Sequence, residues 1–198
     1  SLLYQEPYAS SVSEMISEIL QYITSDVHLE PLEASALLSG IILDTKNFVF
    51  NTGVRTFDAA SFLRRYGADT RLVRELFKED LVGSVIKSNI ITSVTMVTEG
   101  IAMAYSGEPS NNIKTIISQD ADELIDIKGI HTSFVLGEDE EGTVFISARS
   151  TGKTNVQVIL EKLGGGGHLE TAGAQLENTN LEDAKTLLLN TIEESLEE

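Results

Sequence analysis

The sequence contains no cysteine among its 198 residues. A disulfide framework and thiolate chemistry are therefore excluded, and the composition fits the reducing cytosol. The sequence also lacks any apolar run that approaches the ~20 residues needed to cross a bilayer. It opens at Ser1 without a methionine or a signal-like pattern, which suggests a segment of a longer protein. We therefore expect a cytoplasmic segment, with any membrane anchor of its parent outside these residues.

Basic residues are scarce, because 14 Lys and Arg stand against 31 Asp and Glu and give a formal net charge of −17. Residues 1–90 carry 8 basic and 12 acidic side chains, a net of −4, whereas residues 91–198 carry 6 and 19, a net of −13. Affinity for a long nucleic acid depends on a basic surface that releases counterions. We therefore expect no long nucleic acid as partner, while a small anionic ligand held in a local pocket is compatible with this charge.

The apolar periodicity changes character near residue 90. Helical patterns fill the sequence before it, whereas runs of β-branched residues alternate with helical segments after it. The boundary falls within residues 80–93. We predict an α/β chain with a mostly helical domain over residues 1–85 and a mixed-sheet α/β domain over residues 86–198.

Capping signals place the helices of the first domain. Ser11 or Ser13 can cap the first helix. Pro31 suits the first turn of a second helix that runs to about Leu43. That helix is apolar almost all round, which predicts burial. Thr56 is predicted to cap a third helix.

The second domain begins with strand patterns and ends with a helix. Two strands, His131–Leu136 and Thr143–Ala148, flank an acidic turn and predict a hairpin. A helix over Asn155–Leu163 precedes the glycine run described next, and a strand at Ala172–Leu176 follows it. The closing helix is predicted over Leu181–Leu196, with Asn180 as its cap.

Four consecutive glycines and a histidine, Gly164–His168, are the most informative feature of the sequence. Each glycine costs roughly 0.5–1 kcal/mol of helix or strand stability relative to alanine. In return, the run offers bare backbone whose N–H groups can surround an anion, and His168 adds a donor that is neutral or charged near pH 7. A flexible helix cap followed by a linker is the alternative reading.

A second cluster, Ser147-Ala148-Arg149-Ser150, ends the strand that precedes the glycine run. Arginine offers a planar fork of donors and serine a small one, so the cluster and the glycines together predict phosphate binding. Asn155 could add to this set. Taken alone, Arg149 could equally form a surface salt bridge in an acidic domain.

Asp44 is the one candidate metal ligand. It follows Gly40-Ile41-Ile42-Leu43 at the end of an apolar helix, where a capping role is the alternative. Metal-assisted hydrolysis usually needs several carboxylate and imidazole ligands. The chain holds only three histidines and shows no spacing typical of a full ligand set.

These clusters together resemble the DHH phosphoesterase superfamily. The resemblance rests on Gly40–Phe48, Thr52–Thr56, Ser147–Ser150 and Gly164–His168, and it extends over essentially the whole chain. The chain looks like the helical end of the DHH catalytic domain joined to the mixed-sheet, DHH-associated substrate-binding domain. On softer similarity, it is most like the branch of membrane-anchored bacterial cyclic-di-AMP phosphodiesterases.

The resemblance implies a two-domain enzyme whose cleft holds two manganese ions that activate a water for attack on a phosphodiester. Asp44 matches the last metal-ligand aspartate of the catalytic domain. Substrate binding is carried over to Arg149, Gly165, Gly166, Gly167 and His168. Ser147, Ser150 and Asn155 match the family's pattern less closely, and the resemblance implies the same substrate-binding role for them.

The family's earlier metal-binding motifs, including its Asp-His-His triplet, are absent from this sequence. We therefore expect a parent enzyme that hydrolyses cyclic di-AMP to a linear dinucleotide, and a segment that binds substrate without turning it over. A non-catalytic nucleotide-binding module and a hydrolase of short oligoribonucleotides are the alternatives. A homodimer is also predicted, formed through exposed apolar faces on Leu37, Leu38, Ile41 and Ile42.

Overall fold

A computed structural model describes residues 3–23, 28–78 and 80–197 of the chain. The chain divides into two compact units, Ser1–Lys78 and Glu79–Glu198. The division falls shortly before the boundary expected from the sequence, because Leu81–Thr92 form one helix that packs through Ile86 and Ile90 in a core of the second unit.

The described part of the first unit contains four helices: α1 (Val12–Ile23), α2 (Pro31–Asp44), α3 (Val54–Arg65) and α4 (Thr70–Leu76). The predicted start of α1 is confirmed, since the backbone N–H of Glu14 donates to Ser11 Oγ at 3.0 Å. Pro31 opens α2 as predicted.

Helix α2 differs from its prediction in burial. Only one side of it is buried, through Ala34, Leu38 and Ile41, and it packs there with residues of α3 such as Leu63. Leu43, on the other side, is 62% exposed. The prediction of burial all round is therefore wrong, because apolar composition does not reveal how many neighbours a helix has.

The apolar faces predicted to drive self-association lie within the core of the first unit. Leu38 and Ile41 are 2% and 0% exposed, and Leu37 and Ile42 pack against the same cluster. Leu38 and Ile41 are therefore not available to a second copy, whereas Leu37 and Ile42 are only partly buried.

Thr56 is not the N-cap of α3, which is Gly53. Thr56 lies one turn further on and is buried, and its Oγ1 accepts a hydrogen bond from the Gly53 N–H at 3.1 Å. It supports the helix start from inside the first turn, which the sequence pattern does not distinguish from a cap.

The second unit is a six-stranded mixed sheet with helices on both faces. Its elements are α5 (Leu81–Thr92), β1 (Thr95–Thr98), β2 (Ile101–Tyr105), α6 (Ile113–Ile125), β3 (Thr132–Glu138), β4 (Val144–Ser150), α7 (Val156–Glu161), β5 (Gly166–His168), β6 (Thr171–Leu176) and α8 (Leu181–Glu197). The sheet order is β1-β2-β3-β4-β6-β5, in which β2 and β3 are parallel and the other neighbours are antiparallel. The predicted mixed-sheet α/β fold and the β3–β4 hairpin are confirmed.

The two faces of the sheet are covered unequally. Helices α7 and α8 pack on one face, where Ala172 and Ala174 of β6 are buried. Helices α5 and α6 pack on the other face, over β2, β3 and β4. On that second face, Thr171, Gly173 and Gln175 of β6 are exposed. One end of the sheet therefore presents an uncovered surface.

Part of the glycine run is a strand, although each glycine lowers strand stability relative to alanine. Gly164 follows α7 with a left-handed φ of +76°, as expected of a residue just past a helix end. Gly166–His168 then form β5, which pairs with Thr171–Gly173 at the sheet edge. Within the described residues, none of the helices combines the length and the apolar character needed to cross a bilayer.

Candidate functional site

The strand register brings the two predicted clusters together on one face of the sheet. Arg149 pairs with Thr171, and Thr171 pairs with His168. Directly paired residues point to the same face, and strands lie about 4.8 Å apart, so the backbones of Arg149 and His168 are separated by about 10 Å. This is the face that α6 leaves uncovered at β6 and β5.

Two glycines form the floor of this surface. Ser147 pairs with Gly173, which pairs with Gly166. A Cβ atom on Gly166 would meet nothing within 4 Å, and one on Gly173 would meet only the Ile146 carbonyl oxygen at 3.4 Å. We call Gly166, His168, Thr171, Gly173 and Gln175 the open sheet face.

The other two glycines of the strand region have a packing role. A Cβ on Gly165 would lie 2.3 Å from the Gly173 carbonyl oxygen, and one on Gly167 would lie 2.3 Å from that of Thr171. Both positions therefore need glycine for β5 to approach β6, whether or not a ligand is present. Gly166 has no such local requirement.

Arg149 is held by side chains around it and is only 13% exposed. Its Nη2 donates to Ser118 Oγ at 2.6 Å, and its Nη1 donates to Ser147 Oγ at 3.1 Å and to the Ala148 carbonyl at 3.0 Å. Its Nε lies 3.3 Å from Asp122 Oδ1. The salt bridge considered for Arg149 therefore exists, and most of its five N–H donors are engaged.

A groove of about 480 Å³ runs between α6 and the open sheet face. Ser147, Gly164 and Gly165 line it, as do the polar residues Lys114, Ser118 and Gln175, which no sequence motif had indicated. The Lys114 ammonium lies 4.2 Å from the centroid of the Phe145 ring, which also lines the groove.

Sequence spacing could have identified the α6 residues. Lys114, Ser118 and Asp122 follow one another at intervals of four, so they form one stripe along the helix. Nothing in the sequence, however, indicates that this stripe faces the groove, because that depends on where α6 packs on β4.

Ser150 and Asn155 are not brought to the groove. Ser150 points away from Arg149 on the alternating strand, is 4% exposed, and accepts hydrogen bonds from the N–H groups of Gly152 and Thr154. Asn155 is the N-cap of α7, where its Oδ1 accepts from the N–H groups of Gln157 and Val158. Both residues have structural contacts that explain their presence.

His168 lies at the end of β5 and is exposed. Within the described residues, no hydrogen bond to its ring is seen. Its position opposite Thr171 aims it at the open sheet face, so it is able to contact a ligand there.

Asp44 ends α2 as predicted and is exposed. The following turn contains three successive residues with positive φ, Lys46, Asn47 and Phe48, a conformation that costs of order 1 kcal/mol or more for each non-glycine residue. Thr45 stabilises it: Thr45 Oγ1 donates to the Ile41 carbonyl at 2.7 Å and accepts from the Phe48 N–H at 2.9 Å. The turn after Asp44 is therefore fixed by a buried residue.

The ligand set for a metal is incomplete in the chain as described. Residues 3–23, 28–78 and 80–197 contain no group of three or more His, Cys, Asp or Glu that could hold a metal ion. Asp44 alone does not fit a metal pair, so no step of a reaction is assigned to a metal held by these residues.

The first unit contains a second polar cluster. Arg55 donates from Nε and Nη2 to both oxygens of Glu18 at 2.6 Å, and from Nη1 to Glu6 at 2.9 Å. The hydrogen bond from Arg55 lowers the pKa of Glu6, and the bonds to Glu18 and Glu6 raise the pKa of Arg55. Arg55 also lines a cavity of about 640 Å³ with Tyr22 and Arg65.

Comparison with known proteins identifies the family to which the second unit belongs. The DHHA1 domain family matches residues 96–198, which is just over half of the chain and includes every residue of the groove. The chain belongs to the DHHA1 domain family. The predicted resemblance to the DHH superfamily is confirmed.

Two relatives extend the similarity beyond the DHHA1 domain. The cyclic-di-AMP phosphodiesterase GdpP of Geobacillus thermodenitrificans is 47% identical over 196 residues, which cover 99% of this chain and 30% of that protein. The cyclic-di-AMP phosphodiesterase PdeA of Listeria monocytogenes is 44% identical over 192 residues, covering 97% and 29%. The chain thus spans about 30% of the length of these relatives.

A solved structure supports the fold. The crystal structure of an exopolyphosphatase-related protein from Bacteroides fragilis matches with a TM-score of 0.72 and 21% identity, covering 100% of this chain and 64% of that one. At this identity the match concerns the fold alone.

Proposed function

We propose that the chain is the substrate-binding part of a cyclic-di-AMP phosphodiesterase whose complete form hydrolyses cyclic di-AMP to a linear dinucleotide. The observation that carries the proposal is the alignment of 99% of the chain, at 47% identity, with a protein named for that activity. In this proposal the present chain binds the nucleotide and does not hydrolyse it alone.

The groove beside the open sheet face is the proposed binding site. Its volume of about 480 Å³ lies within the range of about 300–1,000 Å³ typical of small-molecule sites. The bare backbone at Gly166 and Gly173 lets a flat group approach closely. Lys114, Arg149 and His168 are the basic groups around this surface in a domain that is otherwise strongly acidic. This combination supports a small anionic nucleotide over a long polyanion.

The metal of the complete enzyme belongs to the proposal as well. Phosphodiesterases of the DHH family are generally metal-dependent, and we propose a manganese pair to which Asp44 contributes one ligand. The rigid turn that Thr45 holds after Asp44 supports a fixed position for this carboxylate. The other ligands would come from regions of the parent outside this chain.

We also propose a location and an assembly for the chain. The lack of cysteine supports a cytoplasmic position for these residues, and an anchor in the bacterial membrane would belong to other parts of the parent. We propose a homodimer whose interface does not include Leu38 and Ile41, because these two side chains are buried. Sedimentation over a range of concentrations tests it.

Two other functions are compatible with the same groove. A purely nucleotide-binding module would use the groove and leave Asp44 without a role. A hydrolase of short oligoribonucleotides would need the same phosphate contacts but a linear ligand, which the open end of the sheet could accept.

Cleavage and binding by the 198-residue chain are measured together. Cyclic di-AMP and manganese are incubated with the chain, with its Asp44→Ala variant and with a complete relative, and products are resolved by chromatography. We expect product from the complete relative only, together with binding of cyclic di-AMP to the chain. Product from the chain that vanishes in Asp44→Ala would show that these residues assemble an active centre, and would contradict the proposal.

A further inference from the structure

The contacts of Arg149 limit how it could hold a phosphate. Two of its N–H groups are occupied on Nη1, one on Nη2, and its Nε faces Asp122. Only one N–H of Nη2 is left for a ligand, since a guanidinium has five. A two-pronged grip on a phosphate by this side chain is therefore not possible in this arrangement.

The two serines that contact Arg149 are differently placed. Ser118 Oγ and Ser147 Oγ each accept a hydrogen bond from the guanidinium, so their lone pairs are directed at Arg149. Within the described residues neither hydroxyl donates a hydrogen bond. Both serines line the groove, whereas Arg149 lies behind them. Each hydroxyl proton is thus free to point into the groove.

We infer that Ser118 and Ser147 receive a phosphate oxygen of the ligand, and that Arg149 acts from behind by orienting and polarising their hydroxyl groups. Ser118 is then a ligand-binding residue contributed by α6. The inference rests on the proposed function, because it takes the nucleotide to bind in this groove.

Asp122 acts as a positioning residue for Arg149 in this arrangement. Its Oδ1 lies 3.3 Å from Arg149 Nε, whereas the two serines contact Nη1 and Nη2. An ion pair at this distance, together with the hydrogen bonds to the serines, holds the guanidinium in one orientation. Lys114, one turn before Ser118, adds a positive charge at the other end of the stripe. The chemistry favours a phosphate ester over a neutral nucleoside.

The test compares ligands with and without phosphate. Cyclic di-AMP, AMP and adenosine are titrated against the 198-residue chain by NMR, which detects weak binding. Ser118→Ala should weaken binding of cyclic di-AMP and AMP by about tenfold, the usual worth of a hydrogen bond to a charged group, and leave adenosine unchanged. Thr115→Ala, at an exposed position of the same helix, is the matched control and should change none of them.

Two further variants separate positioning from folding. Ser118→Thr keeps the hydroxyl and should retain most of the AMP affinity. Asp122→Asn should weaken AMP binding but not adenosine binding, and its effect should shrink in the Ser118→Ala background because both act through Arg149. A merely structural role for Asp122 would change the unfolding temperature and affect both ligands alike.

The possible outcomes separate a failure of the inferred phosphate contacts of Ser118 and Ser147 from a failure of the proposed nucleotide binding. If the unmodified chain binds cyclic di-AMP and AMP, and Ser118→Ala binds them equally well, the inference is overturned and the proposed function stands. If the unmodified chain binds neither ligand, the proposed function fails and the inference fails with it. A selective loss of phosphate-dependent affinity in Ser118→Ala supports both.

Discussion

Two adjacent glycines of β5, Gly166 and Gly167, should differ in how much stability the protein loses when each is replaced by alanine. A Cβ on Gly167 would lie 2.3 Å from the Thr171 carbonyl oxygen, and its φ is +154°. Because a backbone carbonyl cannot retreat without loss of the β5–β6 pairing, Gly167→Ala should cost about 1–3 kcal/mol. A Cβ on Gly166 meets nothing within 4 Å, so Gly166→Ala should change stability by no more than about 0.5 kcal/mol.

Urea unfolding followed by circular dichroism measures the difference directly. Gly165→Ala is the second crowded position, since its Cβ would lie 2.3 Å from the Gly173 carbonyl oxygen, and it should behave like Gly167→Ala. In thermal unfolding, each kcal/mol should appear as a shift of roughly 2–8 °C.

Substitution of Gly166 should affect nucleotide binding rather than stability. Gly166→Val keeps the open environment of that position but places a branched side chain on the floor of the site, so it should weaken nucleotide binding while the protein stays folded. Equal destabilisation by Gly166→Ala and Gly167→Ala would refute the distinction between packing glycines and a ligand-facing glycine.

Three other variants and conditions test the remaining contacts. Arg149→Ala should destabilise the second unit by about 1–3 kcal/mol in chemical unfolding, because it removes the hydrogen bonds that Arg149 donates to Ser118, Ser147 and the Ala148 carbonyl; an unchanged midpoint would show that these contacts contribute nothing. Thr45→Val should cost about 1–3 kcal/mol, because the Phe48 N–H loses its acceptor, and a stability equal to wild type in the same assay would contradict this. The pKa of Glu6 is lowered by Arg55, and that of Asp69 by the Arg71 N–H. Their stabilising contributions are therefore complete above the ordinary carboxyl pKa of about 4 and are lost as pH falls through the lowered values. An acid titration of the first unit monitored by near-ultraviolet circular dichroism should show a shallower loss of stability with Glu6→Gln, and identical profiles would count against the pairing.

Local sequence patterns predicted the positions of helices and strands better than they predicted how deeply a helix is buried. The β3–β4 hairpin and the N-terminal start of α1 at Ser11 follow from alternation and capping, both of which depend on residues close in the sequence. The burial of α2 was mispredicted, since Leu43 is 62% exposed. How many sides of a helix are covered depends on distant segments that local periodicity does not encode.

The glycine run shows a similar division. Its unusual composition correctly marked a special backbone, but the sequence did not distinguish Gly165 and Gly167, which β6 requires for packing, from Gly166, which it does not. That distinction arises from the register between β5 and β6. Pairing across strands is a tertiary property and becomes visible only in the fold.

The candidate site was predicted in part. Ser147, Arg149 and the glycine run stand out because their residue types are unusual where they occur. Ser118 and Lys114 were missed because both are ordinary residues on an amphipathic helix, and only the packing of α6 on β4 gives them a place in the groove. Asn155 was predicted as a substrate-binding residue, but it caps α7 and does not line the groove. A capping asparagine and a ligand-binding one look the same in the sequence.

The proposed function requires a nucleotide to bind in the groove between α6 and the open sheet face. The most direct measurement is an NMR titration of the isotope-labelled chain with cyclic di-AMP, in which the backbone amides that shift are identified. We predict that the largest shifts fall on Ser118, Ser147, Gly166 and Gly173. Shifts concentrated instead around Arg55 in the first unit, or an absence of saturable shifts, would contradict the account.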